Sequence, residues 1–209
     1  MTYPTLEPVP ELIETERLIL RPYRLEDAAQ VLEALLESKA ELDPWFTWHA
    51  QFETLEDAQD LCLRRRADFM KRDDLTFALF ERETGRFLGA IGLHRPNWEA
   101  RIFEIGYFQR SSAVGHGFMT EAVIALSRVA LDQLRANRVE IWCDAANRRS
   151  AAVAERAGFT FEGRLRNHDL NTAGRAVRRF RLFARTGTVA TAARDNALSD
   201  AFRSRVAHF

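Results

Sequence analysis

"RIFEIGYFQRSSAVGHGFMTEAVIAL", residues 101–126, joins a strand pattern to a helix pattern through two glycines. Over 101–109, Phe103, Ile105 and Tyr107 share one face, and Ile102, Glu104 and Phe108 share the other, the period of two that a pleated strand imposes. Beyond Gly117 the period lengthens, and Val123, Leu126, Ala130 and Leu134 form one helical stripe. The joint between them is Gly115-His116-Gly117. A helix N-terminus exposes unpaired N–H groups and about half a positive charge. Glycines let the backbone come close to a ligand, so the joint suits an anion such as a phosphate. No Gly-Lys-Ser/Thr follows, which excludes a P-loop, and the third glycine of the dinucleotide fingerprint is missing. Taken alone, the pair reads first as a tight turn before a helix.

The surrounding chain reads as mixed α/β. "RLILRPY", 17–23, alternates as a strand, and "LEDAAQVLEALLES", 25–38, has helical spacing with Asp27 in its first turn. "LDPWFTW", 42–48, is a proline-broken aromatic loop. A second helix spans 54–72, where Thr54 and Asp57 fit a capping box. "LTFALFE" and "RFLGAIGLH" make two strands turned at Thr84-Gly85. "RVEIWCD", 138–144, is a strand, and "RRSAAVAERA" is a short helix closed by Gly158. "FTFEGRLRNHDL" and "VRRFRLFAR" read as a closing strand pair. Leu198, Phe202, Val206 and Phe209 suggest a terminal amphipathic helix whose stripe would serve as a homodimer or docking surface. This order is not the strict alternation of a doubly wound parallel sheet.

Composition narrows the class. The chain has 209 residues, 46% of them apolar and 29% charged, which fits a globular domain with a substantial core. No apolar run approaches the roughly 20 residues a bilayer needs. The acidic, proline-bearing start, "MTYPTLEPVPELIETE", is not a secretory signal, so a cytoplasmic location is expected, with no membrane partner. Cys62 and Cys143 make neither a disulfide framework nor a metal-binding pattern. Net charge is zero but split: residues 1–100 carry 12 Lys and Arg against 20 Asp and Glu, and residues 101–209 carry 18 against 10. The glycine joint lies in the basic half, as an anionic ligand would favour. The arginines are scattered and no nucleic-acid reader motif is present, so no nucleic-acid partner is expected.

Three further segments sharpen the reading: "MTEA" after the joint, "NRRSAAVAERAGFTFEG" at 147–163, and "ETERLILRPYRLEDA" near the start, with Pro44-Trp45 in the aromatic loop. Together with "EIGYFQ" they resemble the GNAT superfamily of acetyl-CoA-dependent N-acetyltransferases, in particular its bacterial ribosomal-protein N-terminal acetyltransferases. The resemblance runs from about residue 12 to 186. It implies a single central, mostly antiparallel twisted sheet of about seven strands flanked by about four helices and splayed where acetyl-CoA binds. Residues 1–186 would form that domain, and 187–209 a helical C-terminal extension.

The resemblance also implies roles. The family's pyrophosphate loop, Gln/Arg-x-x-Gly-x-Gly/Ala, falls on 112–117, with Ser112 departing from its first position. Backbone N–H groups of Val114, Gly115, Gly117 and Phe118 would bind the phosphates, with His116 at the variable position. Asn147 would hold the pantetheine arm and Ser150 would lie near the sulfur, although both are also favoured helix-cap residues. The tyrosine many members use as the acid would stand at Ala154, so Ser150 becomes the candidate acid. Asp169 and Glu104 are the candidate bases, each equally readable as a surface charge or an ion pair. Trp45, Phe46 and Trp48 would wall the acceptor site, or simply fill core. An acidic pair found in the family's last strand is replaced by Arg178 and Arg179, which favours an anionic acceptor over a basic protein tail. No cysteine lies in these motifs, so direct transfer to a primary amine, a peptide N-terminus or a small molecule, is expected. A non-catalytic acyl-CoA-binding module is the alternative.

Overall fold

A computed structural model describes residues 3–46, 52–170 and 177–186, with side chains except those of 167–170 and 177–181. Eight strands form one sheet: β1 (Ile13–Glu14), β2 (Leu18–Pro22), β3 (Leu75–Glu81), β4 (Phe87–Asn97), β5 (Ile102–Gln109), β6 (Arg138–Asp144), β7 (Thr160–Leu170) and β8 (Val177–Thr186). The helices are α1 (Ala28–Glu37), α2 (Lys39–Leu42), α3 (Leu55–Lys71), α4 (Phe118–Arg128) and α5 (Arg148–Arg156). The sheet order is β1-β2-β3-β4-β5-β6-β8-β7. Every neighbouring pair is antiparallel except β5 and β6. That exception follows from the α4 crossover, because parallel neighbours cannot be joined by a hairpin. The two-residue β1 and the insertion of β8 between β6 and β7 were not legible beforehand.

Each sheet face buries its own core. Phe103 and Ile105 of β5 pack with Val123, Leu126, Ala130 and Leu134 of the α4 segment and Ala151 and Ala154 of α5. On the opposite face Phe108 packs with Val31 and Leu35 of α1 and Leu61 and Cys62 of α3. The strand alternation at 101–109 therefore assigns the two helix pairs to opposite faces. α3 begins as expected: Thr54 Oγ1 accepts from the Asp57 N–H, and the Asp57 carboxylate accepts from the Thr54 N–H at 2.9 Å. Asp27 ends a short 3-10 turn before α1 and forms a two-pronged ion pair with Arg21 of β2 at 2.7 and 2.8 Å. The helical stripe after the glycine joint ends in a π turn at Val129–Gln133.

Two features of this frame bear on function. β5 and β6 pair at Ile102↔Arg138, Phe103↔Val139 and Glu104↔Glu140, and their pairing stops there, although β5 continues to Gln109 and β6 to Asp144. The sheet is open beyond that point. Meanwhile Arg110, at the end of β5, is 1% exposed and donates to Glu33 and Glu37 of α1 and to the Phe87 carbonyl. It fixes α1 against the strand that runs into the glycine joint.

The hydrogen bond from Arg110, reinforced by the Ser112 N–H, holds the Glu37 carboxyl at about 2 against burial, well below the ordinary 4.5. A depressed carboxylate stabilises the fold above its unfolded value and loses that contribution as pH falls toward its folded value. Urea unfolding of Glu37→Gln should therefore show a shallower loss of stability between pH 4.5 and 2 than the wild type. Arg110→Met should cost roughly 3 kcal/mol at pH 7, the low end for breaking a buried ion pair, since both carboxylates keep some access to water.

Candidate active site

The opening between β5 and β6 continues into a cavity of about 400 Å³. One end is walled by Trp45, Phe46, Tyr23 and Leu61 on the α1–α3 face. The other end reaches Cys143 and Asp144 of β6 and Asn147 and Ser150 at the start of α5. Glu104, Gly106 and Tyr107 of β5 lie along the passage between them. The expected wall residues Trp45 and Phe46 thus face the cavity, whereas Trp48 lies outside the described residues.

Asn147 is the cap of α5: its side-chain oxygen accepts from the Ser150 N–H at 3.0 Å. The cap reading is correct, and the same residue also lines the cavity. Ser150 shows a relation that the sequence did not reveal. The Tyr107 phenol donates to the Ser150 carbonyl at 2.9 Å, and its oxygen lies 3.0 Å from Ser150 Oγ. The α5 position expected to carry a tyrosine is Ala154, fully buried one turn beyond Ser150. The tyrosine comes instead from β5, across the cleft. A phenol on an inward strand face must find a hydrogen-bond partner, and that signal could have singled Tyr107 out. Burial raises the Tyr107 pKa, only partly offset by Ser150, so the phenol stays protonated and serves as a donor.

Glu104 occupies the last paired position before the strands part and is bound to Arg95 at 2.9 Å. Its carboxylate is therefore not a bare base. Asp169 lies on β7 opposite Arg178 of β8, and the side chains of Asp169, Arg178 and Arg179 are outside those described. The 187–209 extension is also outside the described residues. Cys143, absent from the sequence motifs, lines the cavity as a buried thiol.

The glycine joint is separate from the cavity lining and has its own geometry. Gly115 and Gly117 take φ of +93° and +80°, values that L side chains rarely adopt. A Cβ at Gly115 would meet nothing within 4 Å, so the backbone there faces open space. Gly117 begins α4 without a side-chain cap. The first N–H groups of the helix are thus left for an anion. Val114 is exposed, and the His116 ring lies against Phe118 at 5.9 Å. Arg17 braces this turn: it donates to the His116 carbonyl at 3.0 Å, lies 4.7 Å over the Phe118 ring and pairs with Glu121 at 2.6 Å. Ser112 serves the scaffold: its N–H donates to Glu37 at 2.7 Å and its Oγ accepts from Arg86 at 2.9 Å. That accounts for a serine at the head of the loop.

An uncapped helix start, left-handed glycines at 115 under open space and at 117 beside the Arg17 guanidinium, and strands that part beside a capped Asn-x-x-Ser turn fit a phosphate-bearing acyl thioester. The fold and site are those of an acyltransferase. Residues 17–160 match the acetyltransferase (GNAT) domain, and the chain belongs to that family of acetyl-CoA-dependent acetyltransferases. It is 27% identical over 153 residues to YdaF of Bacillus subtilis (strain 168), whose name provisionally assigns it ribosomal N-acetyltransferase activity; the match covers 73% of this chain and 82% of YdaF. Among solved structures it is similar to RimL, the ribosomal L7/L12 alpha-N-protein acetyltransferase in complex with coenzyme A. That similarity has a TM-score of 0.78 at 21% identity, over 85% of this chain and 98% of RimL. The ribosomal-protein-S5-alanine acetyltransferase of Vibrio fischeri gives a TM-score of 0.75 at 19% identity, over 85% and 97%. Among the described residues no helix is long and apolar enough to cross a membrane.

Gly115→Val forces a β-branched residue into left-handed backbone at a cost of about 1–2 kcal/mol and fills the space above the joint. Because the new side chain blocks the approach to the backbone N–H groups, calorimetric titration with coenzyme A should show affinity weakened at least about tenfold, while far-ultraviolet dichroism stays native.

Proposed function

We propose that this acetyltransferase moves the acetyl group directly onto a primary amine, with a peptide N-terminal α-amine as the preferred acceptor. One observation carries the reading: a single cavity joins the aromatic wall at Trp45 and Phe46 to Ser150 through the gap between β5 and β6. Acceptor and thioester can then occupy it together, with no covalent relay through the protein. A volume of about 400 Å³ suits a chain terminus or a small amine. Glu104 and Asp144 line it beside Arg65 and Arg95, so its wall is polar and close to charge-balanced, which admits the uncharged amine that must attack.

Acetyl-CoA supplies an activated acetyl thioester. The chain's own residues then do three things. The loop from Val114 to Phe118, including His116, cradles the phosphates through backbone N–H groups and the α4 dipole. Asn147 holds the start of α5, which presents Ser150 to the cavity. Ser150 Oγ, backed by the protonated Tyr107 phenol, donates to the sulfur as it departs. An α-amine, with an ordinary pKa of about 7.7–8.0, needs far less help to become neutral than a lysine at about 10.4. Whether Asp169 acts in this site is tested by Asp169→Asn. Arg178 and Arg179 on β8 favour acceptors bearing acidic residues near their terminus rather than a basic ribosomal tail. We assign the enzyme to the cytoplasm.

The test is thiol release from acetyl-CoA over a panel of small amines and of peptides with free or blocked N-termini. Turnover is expected with free α-amines and none with blocked peptides. Ser150→Ala should lower kcat by at least about tenfold with coenzyme A affinity unchanged, and Tyr107→Phe should lose a smaller factor. Tight cofactor binding without turnover on any amine would instead identify a non-catalytic acyl-CoA-binding module.

A further inference from the structure

The cavity contains a histidine that neither the sequence motifs nor the reading above employs. His94 lines it beside Glu104 and Gly106, with its side chain about one quarter exposed. Its Nδ1 lies 2.6 Å from the Asp74 carboxylate. Asp74 is in turn bound by the Thr76 hydroxyl and faced by Arg65 at 3.7 Å. Burial pushes the Asp74 carboxyl up, but the hydrogen bond and charge of His94, with Thr76 and Arg65, hold it below the usual carboxylate range. An ionised carboxylate on Nδ1 keeps the proton on that nitrogen and leaves the Nε2 lone pair as the acceptor.

The strands make a seat for this ring. Gly92 and Gly106 face each other across β4 and β5. A Cβ at Gly92 would come 2.9 Å from the ring's Cε1, and one at Gly106 would come 2.7 Å from Cδ2 and 2.9 Å from Nε2. The imidazole therefore lies along two residues that have no side chain, with its Nε2 edge over Gly106. Gly106 is two residues past Glu104, where β5 and β6 part. Just beyond His94 the β4 register slips, and Arg95 takes a left-handed φ of +46° that turns it onto Glu104. Bulges of this kind recur beside active sites, where they re-aim a side chain. Of the groups around His94, Glu104 stands opposite it in the register and is held by Arg95, while Asp74 is held by Thr76 and Arg65.

We propose that His94 is the general base of the transfer and that Asp74 is its positioning residue. The inference rests on the amine-acetylation reading. His94 Nε2 takes a proton from the entering ammonium. The neutral amine then attacks, and the C–N bond forms as the C–S bond breaks. Ser150 protonates the departing thiolate, and the proton shed by the new amide nitrogen restores the Ser150 hydroxyl through solvent. The imidazolium returns its proton to solvent through the open cavity. Glu104 contributes charge to the acceptor site but does not take the proton.

The test compares wild type with His94→Gln and Asp74→Asn across pH, using an α-amine peptide that the wild type acetylates. Wild type should show a kcat/KM that rises from low pH to a plateau. His94→Gln should fall by roughly 100-fold or more, within the span of general-base effects, and lose that acid limb. With hydroxylamine, a weakly basic acceptor that is largely neutral at assay pH, most of the deficit should disappear. Coenzyme A affinity, measured by calorimetry, should be unchanged. Asp74→Asn should shift the acid limb to lower pH, and imidazole 15N shifts should report loss of the Nδ1–H tautomer.

Wild-type turnover with an undiminished His94→Gln, or an equal loss on both acceptors, overturns the dyad and leaves the transferase reading standing. Loss of the acid limb in Asp169→Asn or Glu104→Gln, with its retention in His94→Gln, also overturns it. A wild type that acetylates no amine removes the transferase reading and the dyad together.

Discussion

The parting of β5 and β6 after Glu104 and Glu140 is the constraint on which the rest of this structure depends. Backbone N–H and C=O groups in a sheet must find partners, and two strands that diverge inside a core give up a set of them. The molecule compensates from both sides. β5 remains paired with β4 along its length, and β6 remains paired with β8 from Arg138 to Asp144. Each arm of the opening thus keeps a strand partner on its outer side. The gap is spanned where Tyr107 of β5 reaches Ser150 at the head of α5. A cleft held this way presents strand backbone and a helix start to whatever enters.

Function is divided between two kinds of feature. In the function proposed above, cofactor recognition relies on backbone geometry: the left-handed glycines at 115 and 117, the uncapped start of α4 and the brace supplied by Arg17. The proposed acceptor side relies on side chains brought to one cavity from distant segments, with Trp45 and Phe46 after α2, His94 on β4 backed by Asp74 before β3, and Glu104 on β5. A backbone site can keep its form in proteins with very different acceptors, because it depends on few side chains. The acceptor end is where this chain's own choices are expressed.

The two helix–sheet interfaces hold these parts in position. Arg110 anchors α1 to the end of β5, and Glu37 then reaches the Ser112 N–H at the head of the glycine loop. One buried guanidinium therefore couples the acceptor-side helix to the cofactor loop. Arg21 and Asp27 do the same for the start of α1 against β2. Such ion pairs contribute less to stability than to uniqueness of arrangement, since their desolvation offsets much of their attraction.

The sequence by itself determined the elements and the cofactor. Strand alternation at 101–109, the stripe after Gly117, the Thr54 box and the Asn147 cap are all local, and each depends on periodicity or on residues within a turn of one another. The glycine joint and the Asn-x-x-Ser turn are also local, so the family and its cofactor were legible. Only the tertiary structure decided which side chains share the cavity. Tyr107 meets Ser150 across 43 residues and His94 meets Asp74 across 20. The second pairing was hidden for a specific reason: β3 and β4 pair with a register shift between Leu79 and Phe80, so counting outward from the Thr84-Gly85 turn misplaces their far ends by one residue. In a sheet one residue is the difference between two faces. Periodicity reveals which residues turn inward, but a register shift and a strand crossing decide which of them meet.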